Sequence, residues 1–337
     1  MTLLPKEATM PLFDLSLPEL ERYRPDVREP QHFDEFWRAT IAEAREHEGE
    51  PMLADAGWNL PQLSIRDVIF PGYGGHPIRG WYVRPRGVQQ PLPCVVQIAG
   101  YSSGRGHALD HTFWASAGVA HFVMDTRGQG AGWGNGGETA DPVGHSTSAP
   151  GFMTRGIEDP RDYYYRRVTT DAVRAVDAVR MLPGVDEQRV FFSGASQGGG
   201  IALAVAGLVD GLAGVMADVP FLCHFERSLA ITDAEPYGEI ITYLSTQRGD
   251  RNAVLDNLSY FDGVNHAKRA GAPLLASVAL RDQVCPPSGG FAAYNWYGAH
   301  GPHRPQTRMD VWHDNGHEGG STHQLARQLQ FVRSMLN

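Results

Sequence analysis

The chain has 337 residues, 42% apolar and 20% charged, proportions that exclude a disordered protein and allow a substantial buried core. A net charge of -9 without any compensating basic stripe argues against nucleic acid or an anionic membrane as partner, since both demand clustered cations. The three cysteines, Cys94, Cys223 and Cys285, share no C-x-x-C spacing and leave one unpaired in any disulfide scheme, which favours a reducing compartment.

The opening "MTLLPKEATMPLFDL" shows no sustained apolar run behind a charged start, so no signal peptide is read and a cytoplasmic location is expected. Residues 10–60, with "PQHFDEFWRATIAEARE" as a helix, are expected to form an N-terminal arm. From Cys94 onward, "CVVQIAG", "VAHFVMD", "RVFFSG", "GVMADV", "PLLASVAL" and "RMDVW" are brief apolar runs bounded by Gly, Pro or charge. They read as strands buried on both faces. Between them, "TTDAVRAVDAVRML" sets Val173, Val176, Val179 and Leu182 at helical spacing, and "STHQLARQLQFVRSML" is amphipathic. This alternation predicts a single α/β domain over 1–337, with a mostly parallel central sheet flanked by helices. Two segments break the rhythm. Residues 130–165 form a long Gly/Pro-rich loop excursion, and residues 223–266 hold two helical pieces where one crossover helix would suffice. The second is expected to lie over the C-terminal edge of the sheet, where open α/β sheets bind ligands. The most apolar stretch, 201–219, is broken by Asp210 and glycines and falls short of the roughly 20 apolar residues that span a bilayer.

Within "FFSGASQGGG" (191–200), Gly194, Ser196 and Gly198 form G-x-S-x-G at the end of an expected strand. On such a sharp strand-to-helix turn the serine hydroxyl is presented at the sheet edge. A serine needs a base to take its proton, and the base needs a carboxylate to fix its tautomer. In α/β-hydrolases the order is Ser, acid, His, each after a strand. Asp282 follows "PLLASVALR", and His317 lies in "HDNGHEGG" after "RMDVW". Asp218, ending "GVMADV", is the rival acid; Asp282 is preferred because the usual order leaves one more strand before the His. Charge developing on the attacked carbonyl requires fixed donors. The backbone N–H groups of Gln197, next to the nucleophile, and of Tyr101, in "GYSSGRG", are the candidates. Pro220 and Phe221 leave the strand "GVMADV" at the same edge and are expected to close a small acyl pocket.

Other patterns carry less. Gly132, Gly134 and Gly137 have G-x-G-x-x-G spacing, but the sequence continues as loop where a dinucleotide site needs a helix. His313, His317 and His323 lack the H-E-x-x-H pattern of a zinc helix. No cofactor and no metal are therefore expected. Tyr163, Tyr164 and Tyr165 read as packing or subunit-contact groups.

Taken together, "GYSSGRG", "DTRGQG" (125–130), "GFMTRGIEDPRDYYYRRVTTDAVRAV" (151–176), "GASQGGG", "DQVCPPS" (282–288) and "HEGG" (317–320) resemble the acetyl xylan esterase and cephalosporin C deacetylase family. This is carbohydrate esterase family 7 of the α/β-hydrolases. The resemblance runs from about Met10 to the C-terminus, with residues 1–9 preceding the expected start. It implies Ser196 as nucleophile, Asp282 as acid, His317 as base, and Tyr101 and Gln197 as oxyanion donors. Arg127, Gly128 and Gln129 match the family's R-G-Q signature and are expected to brace the site. Ala99 departs from relatives that often carry His before Gly-Tyr. The implied activity is a serine esterase removing acetyl groups from small substrates, such as acetylated xylo-oligosaccharides and cephalosporin C-like esters, through an acyl-enzyme. The implied assembly is a homohexamer. A serine peptidase of the prolyl oligopeptidase type uses the same chain order, and a non-catalytic ligand-binding protein on this fold is the other alternative.

Overall fold

The computed structural model describes residues 13–132, 135–143 and 148–336. Within them one sheet runs through nine strands: β1 (Met52–Asp55), β2 (Leu63–Pro71), β3 (Pro77–Pro85), β4 (Leu92–Ile98), β5 (Ala120–Met124), β6 (Val185–Ala195), β7 (Gly214–Asp218), β8 (Leu274–Ala279) and β9 (Thr307–Trp312). Their spatial order is β1-β2-β3-β5-β4-β6-β7-β8-β9. From β5 through β9 every pairing is parallel, while β1, β2 and β3 join antiparallel at one end. All six strands read from the sequence are present.

The sheet starts earlier than the sequence suggested. β1 lies inside the expected arm, and all four of its residues are exposed. β2 alternates, with Leu63, Ile65, Val68 and Phe70 buried and Arg66 and Asp67 between them only partly so. That is the pattern of a strand with one face wetted, which differs from the continuous apolar runs of the parallel strands.

Before the parallel strands come α1 (Leu17–Leu20) and α2 (Phe33–Glu46), and α3 (Phe113–Ser116) precedes β5. In α2, Phe33, Trp37, Thr40, Ile41 and Ala44 are buried, a single face at helical spacing. α4 (Tyr164–Met181) and α5 (Gln197–Leu208) flank β6. Tyr163, Tyr164 and Tyr165 at the start of α4 are fully buried, so they are packing groups and offer nothing to a second subunit.

Between β7 and β8 stand four helices where two were expected: α6 (Phe225–Ile231), α7 (Tyr237–Gln247), α8 (Arg251–Ser259) and α9 (Gly263–Ala267). α10 (Pro287–Trp296) and α11 (Ser321–Leu336) complete the order. No described helix is long and apolar enough to cross a membrane. The three cysteines are buried and free.

Candidate active site

β6 ends at Ala195, and α5 begins at Gln197, so the whole reversal falls on Ser196. Its backbone sits at φ 57° and ψ -119°, a conformation costly for a residue with a side chain and typical of functional turns. The turn is pinned from both sides. The Ser196 N–H donates to the Asp218 carbonyl at 2.9 Å, and the Ser196 carbonyl accepts from the Phe221 N–H at 2.9 Å. The flanking glycines are required by contact: a Cβ on Gly194 would lie 2.3 Å from the Gly198 backbone, and one on Gly198 would lie 2.6 Å from the Ile98 carbonyl.

The sequence-predicted nucleophile, base and acid meet. His317 Nε2 is 3.0 Å from Ser196 Oγ, and His317 Nδ1 is 2.8 Å from Asp282 Oδ2. Asp282 is fully buried, and its Oδ1 accepts from the Val284 and Cys285 N–H groups, each at 2.9 Å. Both carboxylate oxygens are thus committed, one to orienting the carboxylate and one to the imidazole. Asp218 takes no part: it accepts from Ser277 at 2.7 Å, Gln324 at 2.9 Å and Gln328 at 2.5 Å. It belongs to the packing of α11 against the sheet.

Cys285 Sγ lies 3.8 Å from Ser196 Oγ. Ligand-capable atoms of Asp282, Cys285 and His317 fall within 4.8 Å of one another. Asp282 and His317 already satisfy each other, and burial pushes the Cys285 thiol well up, holding it protonated and a poor metal ligand. The donor set fits a proton relay better than a metal centre. His313 and His323 stand outside that relay, and of the G-x-G-x-x-G spacing Gly134 lies outside the described residues.

Gln197 opens α5, and the first N–H groups of a helix have no intrahelical acceptor. Its side chain is fully buried and tied to the R-G-Q segment: Gln129 Nε2 donates to Gln197 Oε1 at 2.9 Å, and Gln129 Oε1 accepts from the Ser102 N–H at 2.7 Å. Gln197 Oε1 also accepts from the Tyr165 hydroxyl at 2.9 Å, and its Nε2 reaches the Ala99 carbonyl at 3.3 Å. The departure at Ala99 therefore leaves its backbone in use. Arg127 is the fully buried anchor of the segment, bidentate on Asp171 at 2.5 and 2.7 Å. Gly128 takes a positive φ of 66° between these two side chains. All three residues act as braces, with no contact to Ser196 Oγ or His317.

Above Ser196 and His317 opens a cavity of about 960 Å³, walled by Tyr101, Pro150, Glu235, Pro236, Glu239 and Val284. Two wall residues are joined: the Tyr101 hydroxyl donates to Glu239, which also accepts from the Gly151 N–H at 2.9 Å and the Met153 N–H at 3.0 Å. Burial, with the Glu239 contact adding to it, raises the Tyr101 phenol far above its ordinary value, so it stays a donor. Sequence reasoning missed Glu239, which carries no motif.

The expectation for Pro220 and Phe221 is corrected. Neither lines the cavity. Phe221 is fully buried with its ring 4.4 Å from that of Tyr237, and Pro220 packs against Gly199. An apolar residue at a strand exit reads equally as pocket wall or core, and here the elbow's depth makes it core.

A serine at a strained turn, aligned with imidazole and buried carboxylate at the C-terminal edge of this sheet, defines a serine hydrolase of the α/β-hydrolase class. The model for acetyl xylan esterase (AXE1) matches residues 10–335, and the chain belongs to that family. The acetyl xylan esterase from Paenibacillus sp. R4 is 38% identical, with a TM-score of 0.86 over 95% of this chain and 99% of that one. Acetyl xylan esterase 1 from Thermoanaerobacterium sp. JW/SL YS485 is 31% identical, with a TM-score of 0.85 over 96% and 100% of the two chains. Among curated relatives, the acetyl esterase Axe7A of Xylanibacter ruminicola is 27% identical over 82% of this chain, which spans 62% of that protein's length.

Proposed function

We propose that the protein removes acetyl groups from small hydroxylated esters, including acetylated xylo-oligosaccharides and cephalosporin C-like compounds. The observation carrying this reading is the continuous hydrogen-bonded line Asp282–His317–Ser196 in a chain that matches the acetyl xylan esterase family almost end to end. His317 Nε2 takes the Ser196 proton as Oγ attacks the ester carbonyl, and Asp282 holds Nδ1–H and stabilises the imidazolium. The backbone N–H groups of Tyr101 and Gln197 receive the oxyanion. The imidazolium then protonates the departing alcohol, leaving acetyl on Ser196. Water, activated by the same His317, releases acetate and restores the hydroxyl. A homohexamer in the cytoplasm is part of the same proposal, supported by the family resemblance and by cysteines left free and buried.

A panel of acetylated sugars, longer esters and N-blocked peptides, run beside fluorophosphonate labelling, tests it. Acetate release with labelling at Ser196 is expected. Peptide cleavage without acetate release would replace the reading with a peptidase, and absence of labelling would leave a binding protein.

A further inference from the structure

The catalytic relay borders more open space than the mechanism uses. A second cavity of about 370 Å³ meets the same Ser196 and His317, and Gly100 and Ser103 border both spaces. Volumes of about 300 Å³ upward are those of small-molecule sites. The second cavity is bordered by the 100–105 loop and is lined by Gln97, Ala99, Asp110 and Asn135. The larger space is walled mostly by apolar surface, Pro150, Pro236 and Val284 included, with Glu235, Ser102 and the Tyr101–Glu239 pair among its polar members.

Three polar groups on this lining are uncommitted. Gln97 Oε1 is engaged by His121 Nε2 at 2.9 Å, but the Gln97 amide nitrogen has no partner among the described residues. The Asp110 carboxylate and the Asn135 side-chain amide likewise have none among the described residues. A donor, a carboxylate acceptor and an amide able to serve as either thus border one space beside the nucleophile. The room comes partly from Ala99. Side chains alternate along an extended chain, so Ala99 shares the Gln97 side, and its single methyl leaves the space open.

We propose that this second cavity binds the alcohol portion of the ester, and that this portion is a polyhydroxylated ring. Burying hydroxyl groups costs their hydrogen bonds to water unless the protein replaces them. The second cavity offers three such replacements next to His317. An ester seated there places its bridging oxygen toward His317 Nε2. When the carbonyl carbon–oxygen bond breaks, the Nε2 proton passes to that oxygen, the acetyl group remains on Ser196 Oγ, and its methyl faces the larger cavity. The assignment rests on the acetyl-esterase reading and adds which side of Ser196 sets selectivity for the alcohol.

The test compares kcat/KM for monoacetylated methyl β-xyloside with that for phenyl acetate, whose alcohol has no further hydroxyl group. Gln97→Leu and Asp110→Ala delete polar partners, and Ala99→Leu narrows the space while retaining the backbone carbonyl. Each is expected to lower the sugar-to-phenyl ratio tenfold or more, mainly through KM, and to weaken inhibition by free methyl β-xyloside. Asp110 is exposed, so its variant is expected to retain the fold. Folded variants with an unchanged ratio, or equal losses on both esters, would overturn the assignment. A wild-type enzyme that is inactive on both esters would instead overturn the acetyl-esterase reading on which it depends.

Discussion

Gln129 joins the two backbone segments proposed to receive the oxyanion: its amide nitrogen donates to Gln197 Oε1 at 2.9 Å, and its carbonyl oxygen accepts from the Ser102 N–H at 2.7 Å. One rigid amide thus sets the spacing of donors that must be in place before charge develops. Gln129→Leu removes both bonds and leaves the Ser102 N–H without its acceptor, while Gln197 Oε1 keeps only the Tyr165 hydroxyl. A fall in kcat of roughly 10- to 1000-fold with a smaller change in KM is expected, bounded by the loss of one oxyanion donor. Steady-state kinetics on one acetyl ester measures it, and an effect confined to KM would show that Gln129 does not tune the transition state.

Glu239 performs a related service from the opposite wall, holding Tyr101 and the 151–153 backbone together. Glu239→Gln keeps an acceptor and is expected to retain much more activity than Glu239→Ala, which frees the loop bearing the Tyr101 N–H. Equal activities in the two variants would mean that the tether is dispensable.

Ser196→Ala is expected to reduce turnover by about 10⁴ or more while leaving the circular dichroism spectrum unchanged, because it deletes the nucleophile and no core volume. Residual activity near the wild-type level in purified protein would remove Ser196 from the mechanism.

The two strand-end acids separate in kinetics and in stability. Asp282→Asn should be crippled in kcat, whereas Asp218→Asn should remain active. Burial raises the Asp218 carboxyl from an ordinary 3.8 to about 6. Its folded pKa is the higher one, so the native state keeps a proton that the unfolded chain releases between these values. The associated stability is complete below about pH 4 and is lost as pH climbs through 6, a change of roughly 3 kcal/mol. Asp218→Asn cannot ionise. Its stability relative to wild type, from urea unfolding at pH 4.5 and 7.5, should therefore improve at the higher pH, and a pH-independent difference would refute the buried-acid account.

The chemistry was legible in the sequence because each reacting group terminates a buried strand and sits in a short turn. Ser196 could be placed by local pattern, and Asp282 and His317 by that pattern together with the order of the strands along the chain. The walls were not. Glu239 and Pro236 reach the cavity because α7 folds over the sheet edge, a tertiary outcome that helical spacing does not encode. β2 and β3 escaped notice because Arg66, Asp67 and Arg79 interrupt their apolar residues, as wetted faces require. For Phe221, apolarity was read correctly and direction was not: it faces Tyr237 beneath the elbow.

Ser196 immediately precedes α5, whose residues from Gln197 to Ala206 are all buried, whereas the cavity walls come from loops and a surface helix. The two parts can therefore change at different speeds. Substitutions at wall residues that tether neither the Tyr101 loop nor the relay, such as Pro150 and Pro236, can redraw the ester preference and leave the Ser196–His317–Asp282 geometry in place.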